Sequence, residues 1–160
     1  MLTMRYPTTE DVMTLSLNIR AMDALEMKCF SDPGETIVHR LGASVRASDG
    51  VLAVYDTNLK TCICIFGFLK SPDTESDIAL IWCVGTNQLK EYPLQFVRWG
   101  RMFIAAIAAQ FDDGVYNVVH QDNRLAKRWL RLCGCRVYPG ADLEYKDEPF
   151  TWFSYPKEAA

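Results

Sequence analysis

The sequence has little that would suit a membrane-spanning or exported protein. Its longest apolar stretches run for about ten residues before a Gln, Arg or Asp interrupts them, whereas a membrane-spanning helix needs ~20. The opening MLTMRYPTTED holds no apolar signal-peptide core. Basic charge is not in excess either, because 17 Lys and Arg stand against 20 Asp and Glu, and this disfavours non-specific nucleic-acid binding. We therefore expect an intracellular protein with no specific nucleic-acid site and a single domain over residues 1–160.

Metal-binding and common hydrolase or nucleotide-binding motifs are also missing. The cysteines form only two C-x-C pairs, whereas zinc sites favour pairs spaced C-x₂₋₄-C and separated by a dozen or more residues. No G-x-S-x-G, H-E-x-x-H or Walker pattern occurs. We expect no metal site and small, buried, reduced thiols at all six cysteine positions. These positions are Cys29, Cys62, Cys64, Cys83, Cys133 and Cys135.

The hydrophobic periodicity that is present predicts an α+β domain. Alternating patterns predict strands at 2–6, 51–56, 60–70, 77–85, 115–120, 135–138 and 149–155. Helical spacing predicts helices at 9–29 with a break near Arg20, from a Ser31 or Asp32 cap to Val45, at 93–110 and at 124–133. The 93–110 helix is apolar almost all round, so we expect it to be buried against the sheet.

The order of these elements, with two short motifs, resembles the GNAT N-acetyltransferases. The opening MRYPTTEDV is similar to the first strand and turn of that family. Asn123, Ala126 and Gly134 stand at the spacing of the last core helix of the family, as a cap, a close-packing residue and a helix end. The resemblance implies a three-layer α+β (mixed α/β) domain with a central mixed, mostly antiparallel sheet flanked by helices.

The same resemblance implies two chemical requirements, and the first is a glycine-rich loop for the pyrophosphate of coenzyme A. The corresponding stretch has no glycine between Gly85 and Gly100, and it places Glu91 and Pro93 where converging N–H groups are needed. We therefore expect no cofactor. If acetyl-CoA does bind, the resemblance points to a cofactor site at Val84, Lys90, Arg98 and Asn123.

The second requirement is an acid that protonates the departing thiolate, commonly a tyrosine seven residues after the helix Asn. Leu130 stands there, and the neighbouring Trp129 cannot act as a general acid. His120, at the end of a strand, is the remaining catalytic candidate, and its alternative is an imidazole bonded to the backbone. We expect His39 to be solvated. Glu75 and Asp77 flank the start of a strand, and they are either solvated or the base for a substrate amine.

The predicted helix 124–133 carries a basic stripe in an acidic chain. Its cations are either a solvated face or a surface that docks an acidic partner or nucleic acid. The candidate partner-binding residues are Arg124, Lys127, Arg128 and Arg131.

A narrower resemblance concerns small proteins that assemble the internal virion core of T-seven-like short-tailed phages. They share the opening motif, a buried strand ending in V-x-T, the missing glycine loop and an aromatic-Leu pair like Trp129-Leu130. It implies a catalytically degenerate module that binds other phage virion proteins or a host protein, in the host cytoplasm or packaged in the virion. The alternatives are an active N-acetyltransferase that modifies a host protein or small amine, and an inhibitor of a host enzyme that docks through the basic helix.

Overall fold

The computed structural model describes residues 1–72, 75–140 and 143–156, and alternating strands and helices fill this part of the chain. In chain order the strands are β1 (Leu2–Arg5), β2 (Gly50–Asp56), β3 (Thr61–Lys70), β4 (Ala79–Gly85), β5 (Val115–His120), β6 (Arg136–Val137), β7 (Leu143–Tyr145) and β8 (Glu148–Tyr155). The helices are α1 (Thr9–Leu17), α2 (Ala21–Cys29), α3 (Ile37–Ala47), α4 (Pro93–Ala108) and α5 (Arg124–Leu132), and a 3-10 helix spans Asn87–Glu91.

The chain divides into two compact units, and β4 contributes residues to both. The first unit comprises Met1–Leu69 and Trp82–Tyr92, and the second comprises Lys70–Ile81 and Pro93–Ala160. Each unit contains strands of the sheet and helices that cover them. The expectation of a single domain over residues 1–160 stays a prediction.

In the first unit, β1 pairs antiparallel with β2 and β2 pairs antiparallel with β3, and β4 follows β3 in the sheet order. Helices α1 and α3 contact each other and bury their apolar faces on these strands. The buried cluster that results consists of Val12, Leu15, Leu41, Val45, Ala53, Cys62, Ile65 and Val84.

In the second unit, β4 runs parallel to β5, with Ala79 opposite Val115 and Leu80 opposite Tyr116. Strand β5 pairs antiparallel along its whole length with β8, which also pairs antiparallel with β6 and β7. Helix α4 contacts β5, β8 and α5. The predicted fold class is confirmed: a mixed α/β architecture with a central, mostly antiparallel sheet flanked by helices.

The N-terminal helices follow the sequence prediction except at one cap. The predicted break near Arg20 is present, and it separates α1 from α2 where Ile19 leaves the helical path to form a β-bridge with Thr86. The predicted Ser31 or Asp32 cap is wrong. The Oγ1 of Thr36 caps α3 by accepting the His39 N–H at 3.2 Å.

The surface of α4 and strand β7 were also not predicted correctly. Helix α4 buries only one side, because Leu94 is 85% exposed and Met102 is 53% exposed on the other. Strand β7 was missed because its turn into β8 uses Lys146 and Asp147 in left-handed conformations, with φ of 50° and 64°. A Lys-Asp pair gives no hairpin signal of the Asn-Gly kind.

Five of the six cysteine side chains are buried, as the sequence predicts, and Cys83 is half-buried. Burial raises the pKa of the Cys62 and Cys135 thiols to about 12, so both remain protonated at neutral pH.

Candidate functional site

The segment that follows β4 is a closed helical turn. Thr86 begins it, and its Oγ1 accepts the Gln88 N–H at 3.3 Å. The N–H of Leu89 donates to the Thr86 carbonyl at 3.3 Å, and the N–H of Tyr92 donates to the Leu89 carbonyl at 3.1 Å. Three backbone donors therefore bond within the segment, whereas a phosphate cradle needs its N–H groups to converge on the ligand.

Two side chains attach this turn to the rest of the first unit. Leu89 is buried against Gly85, and a Cβ added at Gly85 would overlap the Leu89 side chain. The Tyr92 hydroxyl donates to Oδ2 of Asp56, a carboxylate with 0% exposure, at 2.5 Å. This bond lowers the pKa of Asp56 and raises the pKa of Tyr92, because each group is stabilised in the form that makes the bond. The turn is fixed at both its middle and its end.

The last residue of β4 has both backbone groups bonded to the start of α2, at its cap Arg20 and its first-turn Asp23. Thr86 donates its N–H to Ile63 of β3, so the N–H and C=O of Gly85 point away from β3. The Gly85 N–H donates to Oδ2 of Asp23 at 2.8 Å, and the Gly85 carbonyl accepts the Arg20 N–H at 2.9 Å. Sequence reasoning missed this arrangement, because the only signal was the Arg20-x-x-Asp23 spacing.

Asp23 is itself held by an ion pair. Its carboxylate accepts from Arg20 Nη2 at 2.7 Å and from Arg20 Nε at 3.2 Å, and only 5% of Asp23 is exposed. A bidentate pair of this kind fixes the carboxylate in one orientation. Arg20 therefore holds Asp23 in the orientation in which it accepts the Gly85 N–H.

The four candidate cofactor residues lie in different environments. Val84 is buried in the core cluster of the first unit, and Lys90 is exposed on the 3-10 helix. Arg98 is exposed on α4 in the second unit. Asn123 is 2% exposed and its Oδ1 caps α5 by accepting the Ala126 N–H at 3.2 Å. The structure gives Val84 and Asn123 packing and capping roles.

His120, the catalytic candidate, is 2% exposed and bonded through both ring nitrogens. Its Nδ1 accepts the backbone N–H of Asp122 at 3.0 Å, and its Nε2 lies 2.6 Å from Oε2 of Glu148. Since Nδ1 accepts, Nε2 carries the proton of the neutral ring and donates it to Glu148. The His120 and Phe150 rings pack in a T-shaped arrangement with their centroids 5.3 Å apart. Proton transfer to a substrate would require one of these hydrogen bonds to break.

The position where the family carries its tyrosine acid is part of the core. Leu130 is 4% exposed, and its carbonyl accepts the Cys135 N–H where α5 ends at Gly134, whose φ is 95°. The neighbouring Trp129 stacks on Phe96 with centroids 4.7 Å apart, and its Nε1 donates to the Phe96 carbonyl at 3.3 Å. Neither side chain offers a titratable group.

The remaining titratable candidates have local partners. His39 is exposed and its Nδ1 lies 2.8 Å from Oε1 of Glu35. Asp77 accepts the Asp112 N–H at 2.8 Å and lies 3.2 Å from Lys70 Nζ. Glu75 is exposed, just before β4.

The basic residues of α5 do not all share one face. Arg124, Arg128 and Arg131 are exposed at spacings of four and three, which align them along one side of the helix. Lys127 instead turns back and donates its Nζ to the Gln121 carbonyl at 2.9 Å. The exposed basic face therefore consists of three arginines, and Lys127 supports the loop before the helix.

A shallow groove lies beside this helix and was missed because α4 was predicted to be buried. Its lining combines apolar side chains with two arginines, and Arg101 donates Nε to the Leu132 carbonyl at 2.6 Å. The sequence did carry one indication of an exposed face here, since Arg98 and Arg101 each lie within one helical turn of Leu94 or Met102. The lining residues are Leu94, Val97, Arg98, Arg101, Met102 and Leu132.

Within residues 1–72, 75–140 and 143–156, no group of three or more His, Cys, Asp or Glu side chains is placed to hold a metal ion. The helices of this described part are all too short or too polar to cross a membrane.

Solved structures place this architecture in a known fold. The acetyltransferase (GNAT family) from Bacillus anthracis matches 99% of this chain and 96% of its own, with a TM-score of 0.68 at 10% identity. The fold is that of the GNAT acetyltransferases. The GCN5-related N-acetyltransferase from Kribbella flavida matches 98% of both chains, with a TM-score of 0.67 at 13% identity. No family profile and no curated protein sequence matches the chain.

Some GNAT-fold neighbours hold coenzyme A. The spermidine N-acetyltransferase from Vibrio cholerae, solved in complex with CoA and spermine, matches 97% of this chain and 95% of its own. Its TM-score is 0.66 at 12% identity. At identities this low, the likeness shows the fold, and the activity of this chain has to be argued from its own residues.

Proposed function

We propose that the protein is a catalytically degenerate GNAT-fold module that binds a partner protein, in the assembly of a phage virion core. The closed turn from Thr86 to Tyr92 carries the non-catalytic part of this proposal. Its internal hydrogen bonds and its anchor to Asp56 leave little to receive a pyrophosphate. Glu91 adds negative charge to the same turn.

Two further features support the absence of acetyl transfer. The Asp23 carboxylate accepts the Gly85 N–H at the end of β4, so a pantetheine arm that pairs with this edge would first have to displace a buried ion pair. The tyrosine acid of the family is replaced by the buried Leu130. His120 is the remaining imidazole near the strand end, and both of its nitrogens have partners.

The phage assembly role is supported by the sequence resemblance described above. The partner surface that we assign to it includes the exposed face of α5, with Arg124, Arg128 and Arg131. Other virion proteins or a host protein would be the partners. The gene neighbourhood provides a direct check, since we expect genes for capsid, tail and internal virion proteins beside this one.

Calorimetric titration with acetyl-CoA tests the non-catalytic part. We expect no binding tighter than roughly millimolar, which corresponds to ~4 kcal/mol. The reason is that charge-assisted bonds to a pyrophosphate contribute ~1.5–3 kcal/mol each, and the closed turn should forfeit most of them. Micromolar binding by the folded wild-type chain would overturn the proposal.

The second candidate function is an active N-acetyltransferase, which is favoured by the CoA-bound neighbours of the same fold. Under this alternative, Lys90 and Arg98 would hold the phosphates, and Lys90→Gln and Arg98→Gln would each weaken acetyl-CoA binding at least ~10-fold. His120→Gln would then abolish turnover without loss of acetyl-CoA affinity. The matched control is Arg46→Gln, at an exposed arginine of α3, and it should change neither the acetyl-CoA affinity nor the turnover.

A further inference from the structure

Helices α4 and α5 contact each other and carry charged side chains of one sign only. Helix α4 contains Arg98 and Arg101 and no acidic residue, and α5 contains four basic residues and no acidic one. No ion pair joins any of these side chains to a carboxylate in the described part of the chain. In a chain whose net charge is −3, these two helices concentrate positive charge that no carboxylate among the described residues pairs with.

The two helices are locked together, so the surface is preformed. A Cβ at Gly100 of α4 would lie 2.5 Å from Trp129 of α5 and 2.6 Å from Cys133, the residue after α5, which shows how closely the helices approach. Arg101 donates to the carbonyl of Leu132, and Trp129 donates to the carbonyl of Phe96. A partner would therefore meet a rigid surface and need not order it first.

Apolar side chains line the groove between the arginines. Leu94 is 85% exposed, Met102 is 53% exposed and Leu132 is 43% exposed. These side chains are held apart from the core by the helix packing described above, and covering them with apolar atoms would release their hydration water. Methionine adapts readily to the shape of an apolar partner.

We propose that this groove binds an acidic amphipathic helix of a partner protein, with its apolar side chains between Leu94, Met102 and Leu132 and its carboxylates on Arg98 and Arg101. The inference rests on the proposed function, since it names the chemistry of the partner. The stretch from Leu94 to Met102 is about 12 Å long at 1.5 Å per residue, so two to three turns of helix suffice to cover it. Apolar anchors at i, i+3, i+4 and i+7 fit a groove of this kind.

Other polyanions fit the groove less well. Single-stranded nucleic acid is usually held by stacking of its bases on aromatic side chains as well as by cations. The lining residues include no aromatic ring, and the exposed leucines and methionine have no counterpart on a phosphate backbone. Charge and apolar exposure together therefore favour an acidic helix over nucleic acid.

The test uses synthetic peptides and the full chain, with binding measured by fluorescence anisotropy. The probe panel consists of helical peptides of about 16 residues with Leu on one face and Glu beside it. One control set has the same composition scrambled, and another carries Lys in place of Glu. We expect members of the acidic amphipathic set to bind in the micromolar range, and both control sets to bind at least ~10-fold more weakly.

Variants of the chain then locate the binding surface. Leu94→Gln and Arg98→Gln should each weaken peptide binding at least ~5-fold, and Arg98→Gln should also reduce its salt dependence. The matched controls are Leu17→Gln, at a leucine of α1 that is 81% exposed, and Arg46→Gln on α3. Each control should change the affinity by less than ~2-fold.

Three results would overturn the inference. The first is that no peptide of the acidic set binds more tightly than the controls, and the second is that Leu17→Gln and Arg46→Gln weaken binding as much as Leu94→Gln and Arg98→Gln do. The third is that a single-stranded oligonucleotide binds more tightly than any peptide and loses affinity with Arg98→Gln alone. If neither the peptides nor acetyl-CoA bind, only the proposed peptide-binding surface is rejected. If acetyl-CoA binds in the micromolar range, the non-catalytic function is rejected, whether or not the peptides bind.

Discussion

Asp56 shows how a single buried carboxylate controls the segment that follows β4. Besides the Tyr92 hydroxyl, it accepts the N–H of Asn58 at 2.9 Å and that of Leu59 at 3.3 Å in the turn between β2 and β3. One oxygen holds this turn and the other holds Tyr92, at the end of the 3-10 helix. The ionised carboxylate is therefore part of the folded structure, and its protonation should weaken both attachments.

This pair predicts a stability profile with an acid and an alkaline limb. The lowered pKa of Asp56 stabilises the fold above the usual Asp value of ~3.9, and this contribution disappears as pH falls through the folded-state pKa. The raised pKa of Tyr92 stabilises the fold below ~10, and that contribution disappears as pH rises through the folded-state value. Tyr92→Phe should remove the Tyr92 contribution and the largest part of the Asp56 contribution, while the Asn58 and Leu59 N–H groups still lower the pKa of Asp56.

Urea unfolding of Tyr92→Phe and wild type across pH measures this effect. We expect the variant to be less stable between about pH 5 and 9, and the two curves to converge at both extremes. The control is Tyr6→Phe, at a tyrosine that is 67% exposed, and it should follow wild type throughout. Parallel curves for Tyr92→Phe and wild type over the whole range would contradict the assignment.

His120 illustrates how far sequence reasoning reaches at a single residue. Its place at the end of β5 could be predicted from the alternation of VYNVVH. Its partner Glu148 is 28 residues away in the chain, at the start of a strand paired with β5. No local pattern could predict this partner, because the pairing of β5 with β8 creates it.

At the scale of elements, helix ends were predictable where one cap residue and one glycine mark them. Asn123 and Gly134 bound α5 as predicted, because capping and a positive φ are local requirements. The absence of glycine between Gly85 and Gly100 was also visible in the sequence. The 3-10 helix that forms there was not, since it depends on Leu89 packing on Gly85 and on the Asp56 anchor.

The contact between α4 and α5 gives a prediction at the same scale. Gly100→Ala should destabilise the protein by about 1–3 kcal/mol, because the new methyl would lie 2.5 Å from the Trp129 ring and 2.6 Å from Cys133 Sγ. Urea unfolding measures the change. Gly42→Ala in α3 is the matched control, since its nearest neighbour is the flexible end of Arg46 at 3.2 Å. It should be neutral or stabilising by up to ~1 kcal/mol, and equal losses in both variants would contradict this packing.

For the whole molecule, the strand and helix order was sufficient to predict the fold class. The order survives errors in single elements, such as the missed β7 and the wrong cap of α3, because the apolar runs of β2 to β5 still predict strands. The groove between α4 and α5 was not predictable in the same way. Helical spacing showed that α4 is rich in apolar residues, and only tertiary packing decides which of them remain exposed.

The division of β4 between two units bears on the proposal that residues 1–160 form a single domain. Ala79 and Leu80 pair with β5 in the second unit, and Trp82–Gly85 belong to the first unit. Because a strand is a continuous element, unfolding of one unit should leave half of β4 without hydrogen-bond partners. The hydrogen bonds of the other half should then open more easily. We therefore expect the whole chain to unfold in one cooperative transition.

Amide hydrogen exchange of two destabilised variants tests this expectation. Gly100→Ala affects the second unit, and Gly67→Ala affects the first, because its Cβ would lie 2.8 Å from Trp82. If the chain opens as a whole, each variant should accelerate exchange by the same factor in α3 of the first unit and α5 of the second, at ~10-fold for every 1.4 kcal/mol lost. Gly42→Ala should not accelerate amide exchange in either helix. Faster exchange confined to the unit that carries the substitution would mean that the chain contains two independently unfolding domains.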